Sequence, residues 1–453
     1  MTGQTRALAA FVAGTPLESL PDEARERLTQ CLLDFVGVAA AGSVLAESSA
    51  AVRRAVRDLA AGGDCTVVGD AGAWPAPYAA LLNGTFAHSL DFDDTHIAGG
   101  LHPGAAVIPA ALAVAERVEA SGAELLAALA LGYEVCCRVG AALGHGAYHR
   151  GFHPTAIAGL FGATAAAGRL LGLDGGRIED AFGLAGSMAA GSMQYLVNGA
   201  ENKRLHAGLA AHDAVLAATF AASGVRGAAD AIEGERGLLH GYSHEPRAEA
   251  LTAGLGSDWL MAGTGIKPYP SCRLTHGAVD AALVARRELG GAPNPGARVR
   301  LAISPAAAML VGGDDPRKRA PRNSVDGQFS AVFQTAVALL DGRVDWNSYQ
   351  RIADTDVLAL TAAIELVTDD SLPEAGATVT VADGAREATV RIDQPSGEPG
   401  TSLSWQLVRT KYEGLTDHRL PDRVAEAIAG LASVPSVRTL LRDLRTPIVQ
   451  EQP

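Results

Sequence analysis

The stretch PDEARERLTQCLLDFVGVAAAG, residues 21–42, predicts a helix and sets the expected fold class of the first half of the chain. Its apolar residues recur at steps of three and four, which places them on one face of a helix. These apolar residues are Leu28, Cys31, Leu32, Phe35 and Val38. Asp22 is expected to cap the start of the helix, and Gly42 is expected to end it.

Alanine-rich segments with helical spacing follow over most of the chain. They are residues 105–120, 122–143, 155–171, 176–197, 207–223 and 274–289. The longest uncharged run, residues 181–200, contains glycines and polar residues, so it predicts a buried helix hairpin rather than a membrane span. Because small residues let helices approach closely, the sequence predicts a tightly packed helical bundle.

Strand patterns appear after residue 296. Alternating apolar residues in ARVRLAIS (297–304) predict a strand, and IELVTDD (364–370) predicts another. The Asp-Gly pair inside ATVTVADGAREATVRI (377–392) predicts a hairpin. Between these strands, FSAVFQTAVALLDG (329–342) predicts a helix that Gly342 closes, and helical spacing returns after residue 420.

These patterns together predict a mainly α protein with an α+β insert. The helical domain is expected over residues 1–264 and 401–453, and a smaller α+β domain over residues 265–400. Because clefts between domains are common ligand sites, we expect the functional site to lie between the two.

Composition argues against several classes of protein. The 453 residues carry a formal net charge of −13, and the most basic run, DDPRKRAPR (314–322), is predicted to be a solvated loop. No nucleic-acid partner is therefore expected. Five cysteines without CxxC spacing argue against a disulfide framework or a zinc ribbon. Since no signal-peptide pattern and no convincing membrane span are present, we expect a cytoplasmic protein without a membrane partner.

Four stretches hold polar residues that their apolar surroundings do not explain. They are HSLDFDDTHIAGGLHPG (88–104), GAYHRGFHPTA (146–156), NGAENKRLHAG (198–208) and GIKPYPSCRLTHGA (265–278). His102 and His153 each precede a proline that can open a helix, and a helix N-terminus favours anions. Asp91 and Thr95 would share a face if their segment were helical.

The residues alone leave three explanations open for the first stretch: a metal site, proton transfer, or capping of helix ends. Lys203 and Lys267, in two of the other stretches, would oppose a bound cation. The sequence contains no HExxH, GxSxG, P-loop or GxGxxG motif. Asp, His, Lys, Arg and Tyr together suit proton transfer on an anionic substrate without a cofactor. Cys272 is either a nucleophile or an ordinary buried cysteine.

The same stretches occur together, and in the same order, in one known family. NGTFAHSLDFDDTH, LHPGAAVIPAALAVAE, GFHPT, KPYPSC and FSAVFQTAVALLDGRV make the chain resemble the MmgE/PrpD family from about residue 5 to about residue 445. Members of that family include 2-methylcitrate dehydratase, cis-aconitate decarboxylase and iminodisuccinate epimerase. The resemblance implies a large helical domain, a smaller α+β lid domain, a homodimer, and an enzyme that needs no metal or other cofactor.

The resemblance also implies a set of site residues. Positions that match active-site residues of the decarboxylase are Asp91, Thr95, His102, His153, Lys203 and Lys267. Cys272 stands where the decarboxylase has a histidine, and Phe333 stands where it has a tyrosine. Tyr148 and the PSC element around Cys272 are more similar to the epimerase, whereas Arg273 is no part of the resemblance.

Lysine and arginine side chains are expected to bind the substrate. Lys203, Lys267 and Arg273 would hold substrate carboxylates, and Arg273 would do so through a bidentate contact. Thr95 is expected to supply a hydrogen bond, and Cys272 is expected to lie against the substrate.

Histidines are expected to move the proton. His102 or His153 would act as the base, with its imidazole oriented by Asp91. Tyr148 would return a proton on the opposite face if the enzyme is an epimerase. Other polar residues of the first stretch are expected to be structural, and they are Asp93, Asp94, His88 and His96.

The function expected from these residues is a cofactor-independent lyase of the dehydratase or decarboxylase type. Its expected partner is a small di- or tricarboxylate substrate. The enzyme would act on it by proton transfer at the carbon next to a carboxylate. An epimerase or isomerase of a similar dicarboxylate is the alternative, indicated by Tyr148 and Cys272. A family member that binds an acid metabolite without turning it over is a third hypothesis.

Overall fold

A computed structural model describes residues 3–313, 315–401 and 404–448 of the chain. The chain divides into two compact units. The first is Met1–Ile266 together with Ser404–Pro453, and the second is Lys267–Leu403. Helices make up nearly all of the regular secondary structure described in the first unit, and the second contains a four-stranded sheet with helices. The predicted class, mainly α with an α+β part, is confirmed.

The first unit begins with twelve helices. In chain order, α1 to α12 are Gln4–Gly14, Asp22–Leu45, Ser49–Leu59, Ala76–Ser89, Gly104–Arg117, Gly122–Leu143, Gly146–His149, Pro154–Leu170, Gly175–Ala185, Tyr195–Asn198, Asn202–Ala222 and Leu238–Tyr242. Four two-residue strands lie among them. Strands β1 to β4 are Cys65–Thr66, Ala73–Trp74, Thr95–His96 and Thr264–Gly265.

The remaining elements follow in the same order. Helices α13 to α18 of the second unit are His276–Glu288, Pro305–Val311, Pro316–Arg319, Ser324–Gln328, Ala331–Asp341 and Thr355–Ala363. Its strands β5 to β8 are Arg298–Ile303, Glu365–Thr368, Ala377–Asp383 and Arg386–Ile392. The chain then returns to the first unit with α19 to α21, which are Trp405–Thr416, Arg423–Ala429 and Val437–Leu444.

Close helix packing forms the core of the first unit. Helix α11 packs against α4 and α8, and α8 also packs against α5 and α6. Glycines permit the closest of these approaches. A Cβ atom on Gly84 of α4 would lie 2.9 Å from Gly208 Cα of α11, and one on Gly208 would lie 2.3 Å from the Leu81 carbonyl oxygen. The predicted tight bundle is therefore built on backbone contact between α4 and α11.

Helix α2 extends beyond the predicted stop. It begins at Asp22 after the cap residue Pro21, so Asp22 is a first-turn residue and not the cap. It continues through Gly42 to Leu45. A Cβ on Gly42 would lie 2.0 Å from the carbonyl oxygen of Phe86 in α4. Gly42 therefore serves helix packing, and the prediction that it ends the helix was wrong.

Gly42→Ala is expected to lower the free energy of unfolding by about 1–3 kcal/mol, because the new methyl group meets the α4 backbone. Gly414→Ala in α19 is the matched control, since a Cβ there meets nothing within 4 Å. That control should gain about 0.5–1 kcal/mol from the loss of glycine flexibility. Urea unfolding of both variants measures the two effects, and opposite signs are the expected result.

Two local predictions in the first unit were wrong. The run 181–200 does not form a helix hairpin, because α9 ends at Ala185 and helical structure resumes only in the short α10. Gly191, between them, has a φ of 129°, which a helix cannot contain. Asp91 and Thr95 do not share a helical face either. Asp91 has a φ of 51°, and Thr95 lies in β3.

The second unit is built on a mixed sheet with the strand order β6-β5-β7-β8. Strands β5 and β6 are parallel, and the other neighbours are antiparallel. The predicted hairpin is confirmed, with Asp383 paired to Arg386 across a turn in which Gly384 has a φ of 65°. Helix α13 packs against β7, β8 and α17. Helix α17 ends at Gly342 as predicted, with a φ of 72°.

The basic run 314–322 is not a solvated loop, although residue 314 itself lies outside the described part of the chain. Residues 316–319 form α15. Lys318 Nζ donates to the Phe329 carbonyl at 2.7 Å, and Arg319 donates to the Ile364 carbonyl at 3.0 Å. Arg317 pairs with Asp315 at 2.5 Å. Lys318 and Arg319 therefore bind neighbouring parts of the second unit, and the absence of a nucleic-acid partner stays a prediction.

Among the residues that the structure describes, three helices, α2, α6 and α11, are long and apolar enough to cross a membrane by length and composition. In the most apolar window of α2 and of α6, 89% and 94% of residues are buried within the structure, and in α11 the share is 56%. Such burial is what helices of a protein core show. The absence of a membrane partner stays a prediction.

Candidate active site

The loop between α4 and α5 carries three aspartates and two histidines, namely Asp91, Asp93, Asp94, His96 and His102. Its fold depends on two anchors. Strand β3 pairs antiparallel with β4, and His96 Nε2 lies 2.9 Å from the Leu260 carbonyl while its Nδ1 accepts from the Gly99 amide at 3.0 Å. Asp94 Oδ1 accepts from the Gly104 amide at 2.9 Å, so its carboxylate fills the N-terminus of α5. His96 and Asp94 therefore hold the loop, as predicted.

Asp93 contacts two histidines in this loop. Its Oδ2 lies 2.7 Å from His88 Nδ1 and 3.3 Å from His102 Nδ1. Burial alone would raise the pKa of Asp93, but the charges and hydrogen bonds of His102 and His88 outweigh it and hold that pKa well below its ordinary value. Asp93 was expected to be only structural, yet it is closer to His102 than the predicted orienting group Asp91 is.

Asp91 instead pairs with a lysine from α11. Lys203 Nζ lies 2.6 Å from Asp91 Oδ1, and both side chains are largely buried. His102 Nε2 lies 3.9 Å from the same Oδ1. The Asp91 carboxylate thus lies closer to the ammonium of Lys203 than to the imidazole of His102, and its role in orienting an imidazole stays a prediction.

His153 lies within a cluster of rings. It is the cap residue of α8, whose first residue is Pro154, as the sequence predicted. Its ring stacks on His88 at a centroid distance of 5.5 Å, and its Nδ1 lies 3.2 Å from His206 Nδ1. Burial, together with the nearby His88, Lys203 and His206, holds the pKa of His153 well below its ordinary value. His153 is therefore neutral at neutral pH.

Three ring-bearing residues that the sequence analysis did not assign to the site belong to this cluster. They are His88, Tyr195 and His206. Burial lowers the pKa of His206 to about 4, with smaller contributions from His88 and Lys203. The polar segments NKRLHAG and HSLDFDDTH were the sequence signals that contained His206 and His88, whereas Tyr195 gave none.

Tyr148 was predicted to return a proton, and Thr95 was predicted to supply a hydrogen bond. Tyr148 is half-buried in α7, while a different tyrosine, Tyr195, lies 6.3 Å from His153 between ring centroids. Thr95 is buried, and its Oγ1 makes no hydrogen bond within residues 3–313, 315–401 and 404–448. Thr155, rather than Thr95, contacts His102 directly, because its Oγ1 accepts from the His102 amide at 3.1 Å.

The residues predicted in the fourth stretch lie in the second unit. The side chain of Lys267 is buried, and Cys272 is buried with its amide donating to the Gln328 carbonyl at 2.9 Å.

Arg273 is engaged by its own unit. Its Nε donates to the Glu398 carboxylate, and its Nη1 donates to His276 Nδ1 at 2.9 Å and to the Ser396 carbonyl at 3.0 Å. Its Nη2 is buried without a hydrogen-bond partner among the described residues. A bidentate contact needs Nη2 together with a second guanidinium nitrogen, and both Nε and Nη1 already donate to residues of the second unit. The bidentate role predicted for Arg273 is therefore not available in this arrangement.

Two family models match the chain. The MmgE/PrpD N-terminal domain matches residues 6–251, and the MmgE/PrpD C-terminal domain matches residues 269–434. The chain belongs to the MmgE/PrpD family. The resemblance that the sequence motifs indicated is thereby confirmed.

Several curated relatives of this MmgE/PrpD chain are named cis-aconitate decarboxylase. This chain is 26% identical over 482 residues to the cis-aconitate decarboxylase of Aspergillus terreus, and the match covers 99% of this chain and 97% of that protein. It is 27% identical to the cis-aconitate decarboxylase of Mus musculus, covering 99% of this chain and 94% of that protein. A 34% identical match to the Homo sapiens cis-aconitate decarboxylase covers 48% of this chain and 45% of that protein.

One group of side chains in this MmgE/PrpD member has the composition of a metal site. The ligand atoms of His88, Asp93 and His102 lie within 4.8 Å of one another. Two ligands at about 2.0–2.1 Å from one tetrahedral metal ion would lie roughly 3.3 Å apart. The 2.7 Å between His88 Nδ1 and Asp93 Oδ2 is instead a hydrogen-bond distance. The arrangement as it stands favours proton sharing, and independence from metal stays a prediction.

Asp94→Asn is expected to stabilise the protein at pH 8 and to change little at pH 4. Burial raises the pKa of Asp94 to about 7, although the hydroxyl of Tyr133 donates to its Oδ2 at 2.6 Å. The folded-state pKa of Asp94 lies above its unfolded value of about 3.9. The free energy of unfolding of the wild-type protein therefore falls as pH rises from about 4 to about 7, by roughly 4 kcal/mol at most. Denaturant unfolding at the two pH values measures the gain. Asp417→Asn, at an exposed position, should change stability by less than about 0.5 kcal/mol at both.

Proposed function

We propose that this chain is a lyase of the dehydratase or decarboxylase type that acts on a small di- or tricarboxylate. One observation carries the proposal. The buried Asp91–Lys203 ion pair lies beside His102 Nε2, which is 3.9 Å from the shared Asp91 oxygen. A cation and a titratable imidazole side by side are what proton transfer next to a carboxylate requires.

Lys203 supplies the positive charge. An electron pair that develops beside a substrate carboxylate spreads onto the carboxylate oxygens, and a fixed cation stabilises that charge more strongly in a water-poor site than in water. Asp91 holds the ammonium at 2.6 Å, so the charge is in place before substrate arrives. Lys267, in the second unit, remains predicted to contact a substrate carboxylate.

His102 is the proposed proton-transfer group. In a dehydration, its neutral form takes a proton from the carbon next to a carboxylate, and the hydroxyl group leaves as water after protonation. In a decarboxylation, the electron pair of the broken carbon–carbon bond stays on the substrate, and protonated His102 delivers one proton to it. The pKa of imidazole lies near neutral pH, so one side chain serves either direction.

His153 complements this role as a neutral imidazole. Its pKa lies well below the ordinary value because the site buries it and surrounds it with other imidazoles and Lys203. A neutral imidazole both donates and accepts a hydrogen bond. We assign it to binding a hydroxyl or carboxyl group of the substrate, with His206 Nδ1 as its second partner at 3.2 Å.

The relatives support the lyase class more strongly than one reaction within it. The curated relatives named above are cis-aconitate decarboxylases, and two of them match this chain over 99% of its length at 26–27% identity. Cys272 and Phe333 nevertheless differ from the decarboxylase pattern, and Tyr148 together with Cys272 supports an epimerase as the second candidate.

One experiment distinguishes the candidates. The protein, pretreated with a chelator, is incubated in D2O with cis-aconitate, 2-methylcitrate and an iminodicarboxylate, and the mixtures are followed by proton NMR. New alkene signals or release of CO2 would establish the lyase. Deuterium that enters a substrate without any change of constitution would establish the epimerase instead. Exchange that appears only after a metal is added would contradict the metal-independent mechanism.

The location, oligomeric state and partners of the enzyme are proposed as well. We propose that the enzyme is a cytoplasmic homodimer with no nucleic-acid or membrane partner, on the strength of the family resemblance and the acidic composition. Sedimentation velocity of the purified chain tests the dimer.

A further inference from the structure

We propose that Asp93 is the positioning residue of the site, and that it fixes His102 with a hydrogen on Nδ1 so that Nε2 carries the reactive lone pair. This inference rests on the proposed role of His102 in proton transfer. It concerns a carboxylate that the family resemblance did not place in the site and that the sequence analysis took as structural.

The contacts of Asp93 favour one tautomer of His102. Both His88 Nδ1 and His102 Nδ1 approach the same oxygen, Asp93 Oδ2, at 2.7 and 3.3 Å. An ionised carboxylate only accepts hydrogen bonds, so His88 Nδ1, which lies at hydrogen-bond distance, carries a hydrogen toward it, and the 3.3 Å approach of His102 Nδ1 favours a hydrogen on that nitrogen as well. A neutral imidazole has one N–H, which leaves Nε2 of His102 as the basic nitrogen.

The negative charge of Asp93 also stabilises His102 after its imidazole has accepted a proton. Asp93 is 2% exposed, and its pKa is held well below the ordinary value, so it remains ionised through the working range. When His102 Nε2 accepts a proton, the imidazolium lies against a buried negative charge. The groups that face His102 are then Asp91, Asp93 and His88, with Lys203 behind Asp91 as the opposing cation.

His88 completes the support. Its ring packs edge-on against His102 at 4.9 Å and stacks on His153 at 5.5 Å between ring centroids. Its Nδ1 binds Asp93 Oδ2 more closely than His102 does, so Asp93 is fixed in place by His88 and can orient His102 from a rigid position. His88 thereby links the two predicted histidines without itself being placed against substrate.

The first test is spectroscopic and uses the unaltered protein. Protein labelled with ¹⁵N-histidine gives long-range proton–nitrogen correlations that distinguish the two neutral tautomers, and the His102 signal is assigned as the one lost in His102→Gln. The expected pattern for His102 is hydrogen on Nδ1. A pattern with hydrogen on Nε2 would overturn the proposal, and this result does not depend on any activity.

The second test is kinetic. Asp93→Asn keeps the size of the side chain and removes its charge, so kcat should fall about 10²–10⁴-fold while KM changes by no more than a few-fold. The protonated fraction of His102 at a given pH, read from its nitrogen shifts, should fall as well. Asp94→Asn, which makes the same change one residue later, should retain kcat.

The outcomes separate this proposal from the proposed function. An Asp93→Asn protein with unaltered kcat and unaltered His102 shifts would refute the positioning role and leave the lyase assignment standing. A wild-type protein that turns over none of the carboxylates, yet shows hydrogen on His102 Nδ1 that depends on Asp93, would refute the lyase and uphold the positioning role.

Discussion

His102→Gln is expected to lower kcat about 10²–10⁴-fold, because glutamine can form hydrogen bonds but cannot carry the transferred proton. KM should change little, since the carboxylate-binding charge of Lys203 is left in place. The largest effect is therefore expected on kcat alone. Steady-state kinetics on the substrate identified by NMR measures the two constants separately.

A matched control for this variant lies in α11. His212 is also partly buried and bonded to a carboxylate, with its Nδ1 2.8 Å from Asp213. It has no part in the proposed chemistry, so His212→Gln should keep kcat within about two-fold of wild type. If His102→Gln also kept wild-type kcat, His102 would not be the proton-transfer group, and His153 would take its place as the candidate.

The fold was largely predictable from the sequence because its signals are local. The helical spacing in 122–143 and the Asp-Gly turn of the hairpin each determine an element without reference to the rest of the chain. The errors arose where distant backbone decided the outcome. Gly42 resembles a helix end in sequence, yet it is a glycine because Phe86 of α4 passes within 2.0 Å of where a Cβ would lie.

The site was predictable in its residue types and less so in its pairings. Asp91 and Asp93 are two residues apart, and nothing in their local pattern tells which of them turns toward His102. Asp91 has a positive φ, and that backbone conformation is not encoded in a periodicity. His206 and His88 are 118 positions apart by residue number and meet His153 through the packing of α11 on α4 and on α8.

Lys411→Met is expected to lower the free energy of unfolding by about 3–5 kcal/mol at pH 8, because it removes the cation of a buried ion pair. Lys411 in α19 has its Nζ 2.6 Å from Asp34 Oδ1 and 2.8 Å from the Phe92 carbonyl, and it lies 3.7 Å above the centre of the Phe92 ring. Asp34 is 1% exposed, so without Lys411 its charge has no solvent to balance it. Urea unfolding measures the loss.

The pH dependence of that loss identifies its cause. Burial already raises the pKa of Asp34 to about 6, against the opposing charge of Lys411, and loss of Lys411 must raise it further. A carboxyl whose folded-state pKa is raised costs stability only once the pH exceeds its unfolded value of about 3.9. The penalty of Lys411→Met should therefore be small near pH 4 and grow toward pH 8. In the double variant Asp34→Asn/Lys411→Met, most of this growth should disappear.

Arg409→Met is the matched control on the same helix, since it breaks an ion pair with Glu413 that is partly exposed. It should lower stability by only about 0.2–1 kcal/mol, with little change between pH 5 and pH 8. Equal losses of unfolding free energy in Arg409→Met and Lys411→Met would show that α19 contributes only its packing against the rest of the first unit. A much larger loss in Lys411→Met, accompanied by a lower kcat, would show that this helix holds Phe92 and, through it, the loop between Asp91 and Asp93 on which the proposed chemistry depends.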